Sequence, residues 1–348
     1  MRKLSTLTAG LATFVVAASA NAAIQFTNYG YLAPIEGNRV RIDVAELNGS
    51  TQLVYTTGRR ILTADMAPNL TESSWTQISN KFAMGDPSFA VVNPFDNTKL
   101  LWGQGGGFDV VNPMNIVSGL DTSSVTFSDG ITPMPNVYDA QWRSENEMYV
   151  VAKLPTNASS TNRLLRIYED AGAWQTQEII EFTNEFLYSG AMTLDTAGNV
   201  YMSNSSGKIF KFTAGEINAA IANDTKIQLD GDSDADAHYL TNLGTSGSFE
   251  IVDNKLFASG WELTNTLKSF DLETGVIAEY IIDDAHSSNY GYQLAGYGDQ
   301  LFAIRDGVDW STFTFGNSIL WGATIPEPTS LALFTFASLG MLKRRARK

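Results

Sequence analysis

The chain has two histidines, and each closes the same triplet: Asp236-Ala-His238 and Asp284-Ala-His286, 48 residues apart. An imidazole with a carboxylate two residues away is a donor pair that could hold a divalent metal such as Zn²⁺. Just upstream, Asp230, Asp232, Asp234 and Asp236 place four carboxylates at alternate positions. These are the hard oxygen ligands that wrap Ca²⁺, but the sixth-position glycine and twelfth-position glutamate of an EF-hand loop are missing. Both features also have an inert reading, as a solvated acidic loop and as histidines capped by their own aspartates. No other cofactor is expected, so Ca²⁺ or Zn²⁺ on these residues is the one metal candidate.

The remaining chemical vocabulary is thin. Cysteine is absent, which removes thiol catalysis, thiolate-bound metals and disulfides. There is no nucleophile elbow, phosphate-binding loop, dinucleotide fingerprint or His-Glu-x-x-His helix. Gly103-Gln-Gly-Gly-Gly107 follows a strand pattern without opening a helix, so it reads as a turn. The sequence is therefore that of a non-enzymatic body.

Charge narrows the partners. The 348 residues carry 23 basic and 37 acidic side chains, net −14. Seven of the basic residues lie in the first 23 and last six positions; without them and Glu327, residues 24–325 keep 16 basic against 36 acidic, net −20. Such a body repels phosphate backbones and excludes nucleic acid as a partner. With 44% apolar and 11% aromatic residues it can bury a large core.

The elements that must position these residues are strands. The one helical pattern, Gly215–Ala222, is two turns long. Elsewhere an apolar strand, a turn and a second strand with a large apolar residue recur: Ser88–Val92 with Asn97–Trp102, Val137–Trp142 with Asn146–Val151, Gly190–Leu194 with Asn199–Met202, Ser248–Val252 with Asn254–Ala258, and Tyr292–Gly296 with Asp299–Ile304. Tyr55, Leu101, Tyr149, Tyr201, Phe257 and Phe302 anchor the second strands at spacings of 46, 48, 52, 56 and 45. That is the period of four-stranded propeller blades. Each blade leaves two apolar faces for its neighbours to cover, so the ring is one domain. The expectation is an all-β, six-bladed propeller over residues 23–324, closed by Ile24–Leu32 pairing with Ser318–Gly322; a large β-sandwich is the bland alternative. In strand grammar the body resembles the NHL and gluconolactonase-like groups. In that reading each Asp-Ala-His triplet precedes the first strand of a blade and faces the channel.

The two ends carry addresses. Arg2-Lys3, the apolar run Leu11–Ala18 and the small residues ending at Ala20-Asn21-Ala22 form a secretory signal over residues 1–22, cut by signal peptidase after Ala22 or Ala20. At the other end Pro326-Glu327-Pro328 precedes an apolar run, Ser330–Leu342, and a basic cluster of Lys343, Arg344, Arg345, Arg347 and Lys348. Proline fixes φ and lacks the N–H, so Pro-Glu-Pro stays extended. The run reaches roughly 21 Å of a ~30 Å bilayer core, short for a permanent anchor, and the basic cluster stays cytoplasmic.

These three elements, over residues 325–348, resemble the PEP-CTERM sorting signal of Gram-negative bacteria that make exopolysaccharide. The resemblance implies a short membrane helix held transiently in the inner membrane and an exosortase-type membrane enzyme that cuts the tail. It implies a destination at the cell surface or beyond. The resulting expectation is an exported surface or matrix protein with a non-catalytic binding propeller, whose partners include polysaccharide or matrix protein. The alternative is a metal-dependent, lactonase-like propeller hydrolase using the Asp-Ala-His face.

Overall fold

The structure, a computed structural model, describes residues 24–34, 41–57, 60–79, 89–104, 107–111, 136–153, 162–183, 190–245, 247–260, 263, 265–282, 292–305, 308–309, 314–315 and 317–326. The signal segment and the sorting segment from Glu327 onward lie outside these residues. Residues 25–325 form one compact unit, and the two terminal segments are grouped apart from it.

Short β-hairpins dominate that unit. β1 (Thr27–Pro34) begins it, and β2 (Arg41–Leu47), β3 (Ser50–Thr56), β4 (Ile61–Asp65) and β5 (Thr76–Gln77) make the first sheet. The second holds β6 (Phe89–Val92), β7 (Leu100–Gln104) and β8 (Gly107–Val111). The third holds β9 (Asn136–Ser144), β10 (Glu147–Lys153), β11 (Asn162–Asp170) and β12 (Ala173–Thr183). The fourth starts with β13 (Met192–Leu194), β14 (Val200–Ser203) and β15 (Lys208–Phe212).

There the chain makes a detour. Helix α1 (Ala214–Asn223) leads to β16 (Ile227–Asp230), which adds to the third sheet in parallel with β12; β17 (Tyr239–Asn242) then returns as the fourth strand of the fourth sheet. The fifth sheet is β18 (Ser248–Val252), β19 (Lys255–Ser259), β20 (Thr266–Asp271) and β21 (Ile277–Ile281). The sixth takes β22 (Tyr292–Tyr297) and β23 (Gln300–Arg305). After a small hairpin, β24 (Val308–Asp309) with β25 (Thr314–Phe315), it is completed by β26 (Asn317–Thr324) and by β1. The chain's first and last strands thus share one sheet, with Thr27 opposite Gly322 and Tyr31 opposite Ile319.

The first strands of successive sheets lie side by side in a closed cycle, β2, β6, β9, β13, β18 and β22, with β22 back against β2. This is a β-propeller. Five of its sheets have four or more strands, and β6–β8 has three. The expectation of six four-stranded blades is therefore corrected to five, because the described strands of the second sheet end with β8.

Apolar periodicity of two explains the packing. In β10, Tyr149 and Val151 pack into the core shared with the fourth sheet, while Met148, Val150 and Ala152 pack into the core shared with the second. All five are fully buried, since both faces of the strand are covered. The six expected anchors, Tyr55, Leu101, Tyr149, Tyr201, Phe257 and Phe302, all sit on second strands and are no more than 1% exposed. Helix α1 runs to 10 residues because Thr213 and Glu216 cap each other's backbone N–H groups, and Asp224 ends it in the left-handed region. Among the described residues no helix is long and apolar enough to cross a membrane.

Candidate functional site

Five of the six first strands, β2, β6, β9, β18 and β22, line a cavity of about 360 Å³. Its charged lining residues are Arg41, Asp43 and Glu46 from β2, Asp139 from β9 and Glu250 from β18. Asn93, Gln141, Trp142 and Tyr297 add polar and aromatic surface.

Backbone accounting explains why acids stand there. A first strand is an edge strand, and its outward N–H groups need acceptors that no neighbouring strand supplies. Asp43 accepts from its own strand at Val44 N–H (2.8 Å) and from β6 at Val92 N–H (2.8 Å). Asp139 repeats the pattern, with Ala140 N–H (3.0 Å) and, on β13, Met192 N–H (3.0 Å). Glu250 takes Ile251 N–H and, on β22, Gly296 N–H. Gln141 and Ser248 do the same for Leu194 and Leu294 N–H, each at 3.0 Å. The first, third and fifth sheets thus grip the second, fourth and sixth.

The acids are unequal. Arg41 Nη1 lies 3.3 Å from Asp139 Oδ1, and neither side chain is more than 15% exposed. No other cation lines the cavity among the described residues. Burial raises the Asp139 carboxyl, with Arg41 opposing. Burial raises Asp43 to about 6, against the pull of its two N–H donors. Glu250 rises to about 8, first through burial and then through the charges of Asp139 and Asp43. At neutral pH Glu250 therefore keeps its proton while Asp43 is largely ionised. Such a set can exchange protons within a polar channel and present a neutral Glu250 and an anionic Asp43 to whatever enters. At the mouth, Tyr297 O–H donates to Glu46 Oε1 at 2.6 Å, and with Thr51 this holds Glu46 below the ordinary glutamate range.

The expected metal residues fall elsewhere. Because β16 belongs to the third sheet and β17 to the fourth, Asp230, Asp232, Asp234 and Asp236 connect two outer edges, away from the first strands. His238 leads into an outermost strand, which corrects the expectation that it precedes a first strand and faces the channel. Its Nδ1 lies 2.8 Å from Asp236 Oδ1 and its Nε2 3.3 Å from Glu216 Oε1, while its ring stacks on Phe212 at 4.7 Å. Lys208 Nζ pairs with Asp234 at 2.9 Å, and Asp230 accepts from Asp232 N–H at 3.0 Å. Neither Asp236 nor His238 lines the cavity, so the lactonase-like alternative loses that half of its metal set. Asp284 and His286 lie outside the described residues. Among the described residues no three His, Asp or Glu side chains gather as a metal-binding group.

Sequence reading missed the channel acids. Asp43, Asp139 and Glu250 each stand between two apolar residues of a first strand, and recurrence in alternate repeats is the signal that could have found them.

No family model and no curated protein matches the chain. Among solved structures it is similar to a chain of the "Crystal Structure of Mitotic Checkpoint Complex", at 12% identity over 92% of this chain and 98% of that one, TM-score 0.47. It is also similar to the WD40 domain of Toxoplasma gondii coronin, at 8% identity over 88% and 87%, TM-score 0.47. A third is the AfRom2 CNH domain, at 9% over 86% and 98%, TM-score 0.43. The ring described above rests on its own strand pairings and seams.

Proposed function

We propose that the chain is an exported cell-surface or matrix protein, a non-catalytic binding propeller processed at both ends. Signal peptidase acts at Ala22, and an exosortase-type enzyme cuts at Pro326-Glu327-Pro328 after transient insertion of the tail in the inner membrane. The exposed ring then binds polysaccharide or another matrix component through its loops and channel mouth.

The observation that carries the reading is how the ring ends. β1 pairs with β26 wholly inside residues 25–325, and Ile325, which is fully buried, donates its N–H to Asp299 O at 2.7 Å. Cuts after Ala22 and at Pro326–Pro328 therefore remove no strand pair of the ring. That Asp43 and Asp139 already serve backbone N–H groups supports the non-catalytic reading.

The test is mass spectrometry of the surface and released fractions of the producing cell. A product that starts at Ala23 and ends near Pro326 is expected. Changing Pro326, Glu327 and Pro328 together should leave uncut protein in the membrane fraction. Peptides reaching Lys348 in the released fraction would refute the sorting role.

A further inference from the structure

The chain itself covers the outer edge of the third sheet. β16 lies along β12, with Ile227 opposite Ile180 and Leu229 opposite Phe182. Between these apolar pairs the charges match: Lys226 Nζ lies 2.6 Å from Glu181 and 3.4 Å from Glu178, and Gln228 Nε2 donates to Glu181 at 2.6 Å. A strand that alternates apolar with basic or amide side chains thus completes an edge carrying isoleucine and glutamate.

The fifth sheet ends without such a cover. β21 is its outermost strand, and among the described residues no strand pairs with its far side. Asp271 N–H donates to Val276 O and Ile282 N–H to Asn265 O, each at 2.9 Å. Bonded and non-bonded pairs alternate along an antiparallel ladder, so Ala278 and Tyr280 turn their backbone groups to β20 while Ile277, Glu279 and Ile281 turn theirs outward. The side chains of these three share one face. Ile277 is 49% and Ile281 70% exposed, and Glu279 between them is exposed too. On the other face Tyr280 packs against Phe257, 6.0 Å between ring centroids, which seats the strand. β21 has no proline or lysine, and its register with β20 is unbroken, so the usual guards of an open edge are missing.

Charge selects the occupant. From Asp271 to Ile282 the charged residues are Asp271, Glu273 and Glu279, all acidic. Asp271 is engaged by the Glu273 and Thr274 N–H groups. Lys268 stands opposite Glu279 on β20, but its Nζ donates to Leu243 O at 2.9 Å and forms no ion pair with it. A second copy pairing here would set the same acidic edge, on another body of net −20, against the first. A basic strand meets attraction instead.

We propose that the open edge of β21 docks an extended segment of another protein, one that carries a lysine or arginine between two apolar residues at alternate positions. The segment adds to the fifth sheet as a further strand. Its backbone pairs with Ile277, Glu279 and Ile281, its apolar side chains cover the two isoleucines, and its cation lies beside Glu279. No residue of β21 lines the channel, so this edge is independent of whatever the channel mouth binds.

A synthetic peptide with the core Val-Thr-Lys-Thr-Val, and its twin with glutamate in place of lysine, are the probes. With the lysine peptide, hydrogen exchange of the full chain should slow over β21 while β10 is unchanged. The glutamate peptide should bind about 5-fold more weakly, from the sign of one cross-strand pair. Glu279→Lys, a change at an exposed side chain, should reverse that order. Ile277→Pro removes one outward N–H without touching the ladder to β20, and it should weaken both peptides. Equal binding of the two peptides, an order that survives in Glu279→Lys, protection outside the fifth sheet, or no binding at millimolar concentration overturns the proposal. Protection of β21 that grows with chain concentration in the absence of peptide would place a second copy on the edge and overturns it as well.

Discussion

Asn93→Asp probes the seam between the three-stranded sheet and its neighbour with a change of one atom. Asn93 is fully buried just after β6. Its Oδ1 accepts from Phe95 N–H (2.8 Å) and Asp96 N–H (3.2 Å), and its Nδ2 donates to Ser144 O (3.3 Å) and Glu145 O (2.9 Å) in the turn of the third sheet. Aspartate preserves the accepting half and replaces the donor by an oxygen facing two carbonyls. Losing two donated bonds costs about 1 kcal/mol each, and the buried carboxyl adds a desolvation penalty that it limits by taking up a proton. The sum is about 2–4 kcal/mol at pH 7, and at the lower slope suited to a large domain Tm should fall roughly 4–10 °C. The introduced carboxyl has its folded value raised, so the variant's stability is retained in acid and lost as pH rises. At pH 5 that carboxyl, once protonated, donates to one carbonyl, and the gap to wild type should shrink by about 1–2 kcal/mol. Scanning calorimetry at both pH values measures this. A Tm within 1 °C of wild type at pH 7, or a gap that widens in acid, would refute the assigned role of the amide.

Ring closure and the outer acidic loop give two further tests. Gly30 has φ +117°, and a Cβ there would lie 2.1 Å from Leu70 O, so Gly30→Ala should destabilise the body by about 2–4 kcal/mol in thermal melts. Gly49→Ala, at φ +76° with open space around it, should cost only about 1 kcal/mol; equal losses would argue against closure at β1. Replacing His238 and His286 together with Ala should leave the Ca²⁺ and Zn²⁺ content of the purified body unchanged by plasma emission analysis. A stoichiometric metal lost in that variant would return both triplets to a metal site.

The repeat was legible because of where the second strands lie. Each is covered on both faces, so one position per repeat demands a large apolar residue, and Tyr55, Tyr149, Tyr201, Phe257 and Phe302 mark it at near-constant spacing. The closing pair of β1 and β26 could be read from the same logic. The detour through β16 could not. A parallel pairing with the neighbouring sheet, Ile180 opposite Ile227 and Phe182 opposite Leu229, has no local signature, and missing it carried Asp230–His238 to the wrong side of the blade. The channel acids were hidden for a different reason: Asp43 between Ile42 and Val44 has the alternation of any half-solvated strand, and only ring closure turns that polar side inward.

Hydrogen-bond accounting then separates what the ring needs from what it has in excess. The edge N–H groups of Val92, Met192, Leu194, Leu294 and Gly296 all require acceptors in a place where the cavity is narrow. Ser248 and Gln141 meet that requirement without charge. Asp139 meets it with a charge that Arg41 answers at 3.3 Å. Asp43 meets it with no cation beside it among the described residues, at the cost of a carboxyl raised to about 6. Glu250 goes furthest, since a glutamine could fill the same space without repelling two neighbours. Burial and the charges of Asp139 and Asp43 raise its carboxyl to about 8, against the pull of the Ile251 and Gly296 N–H groups.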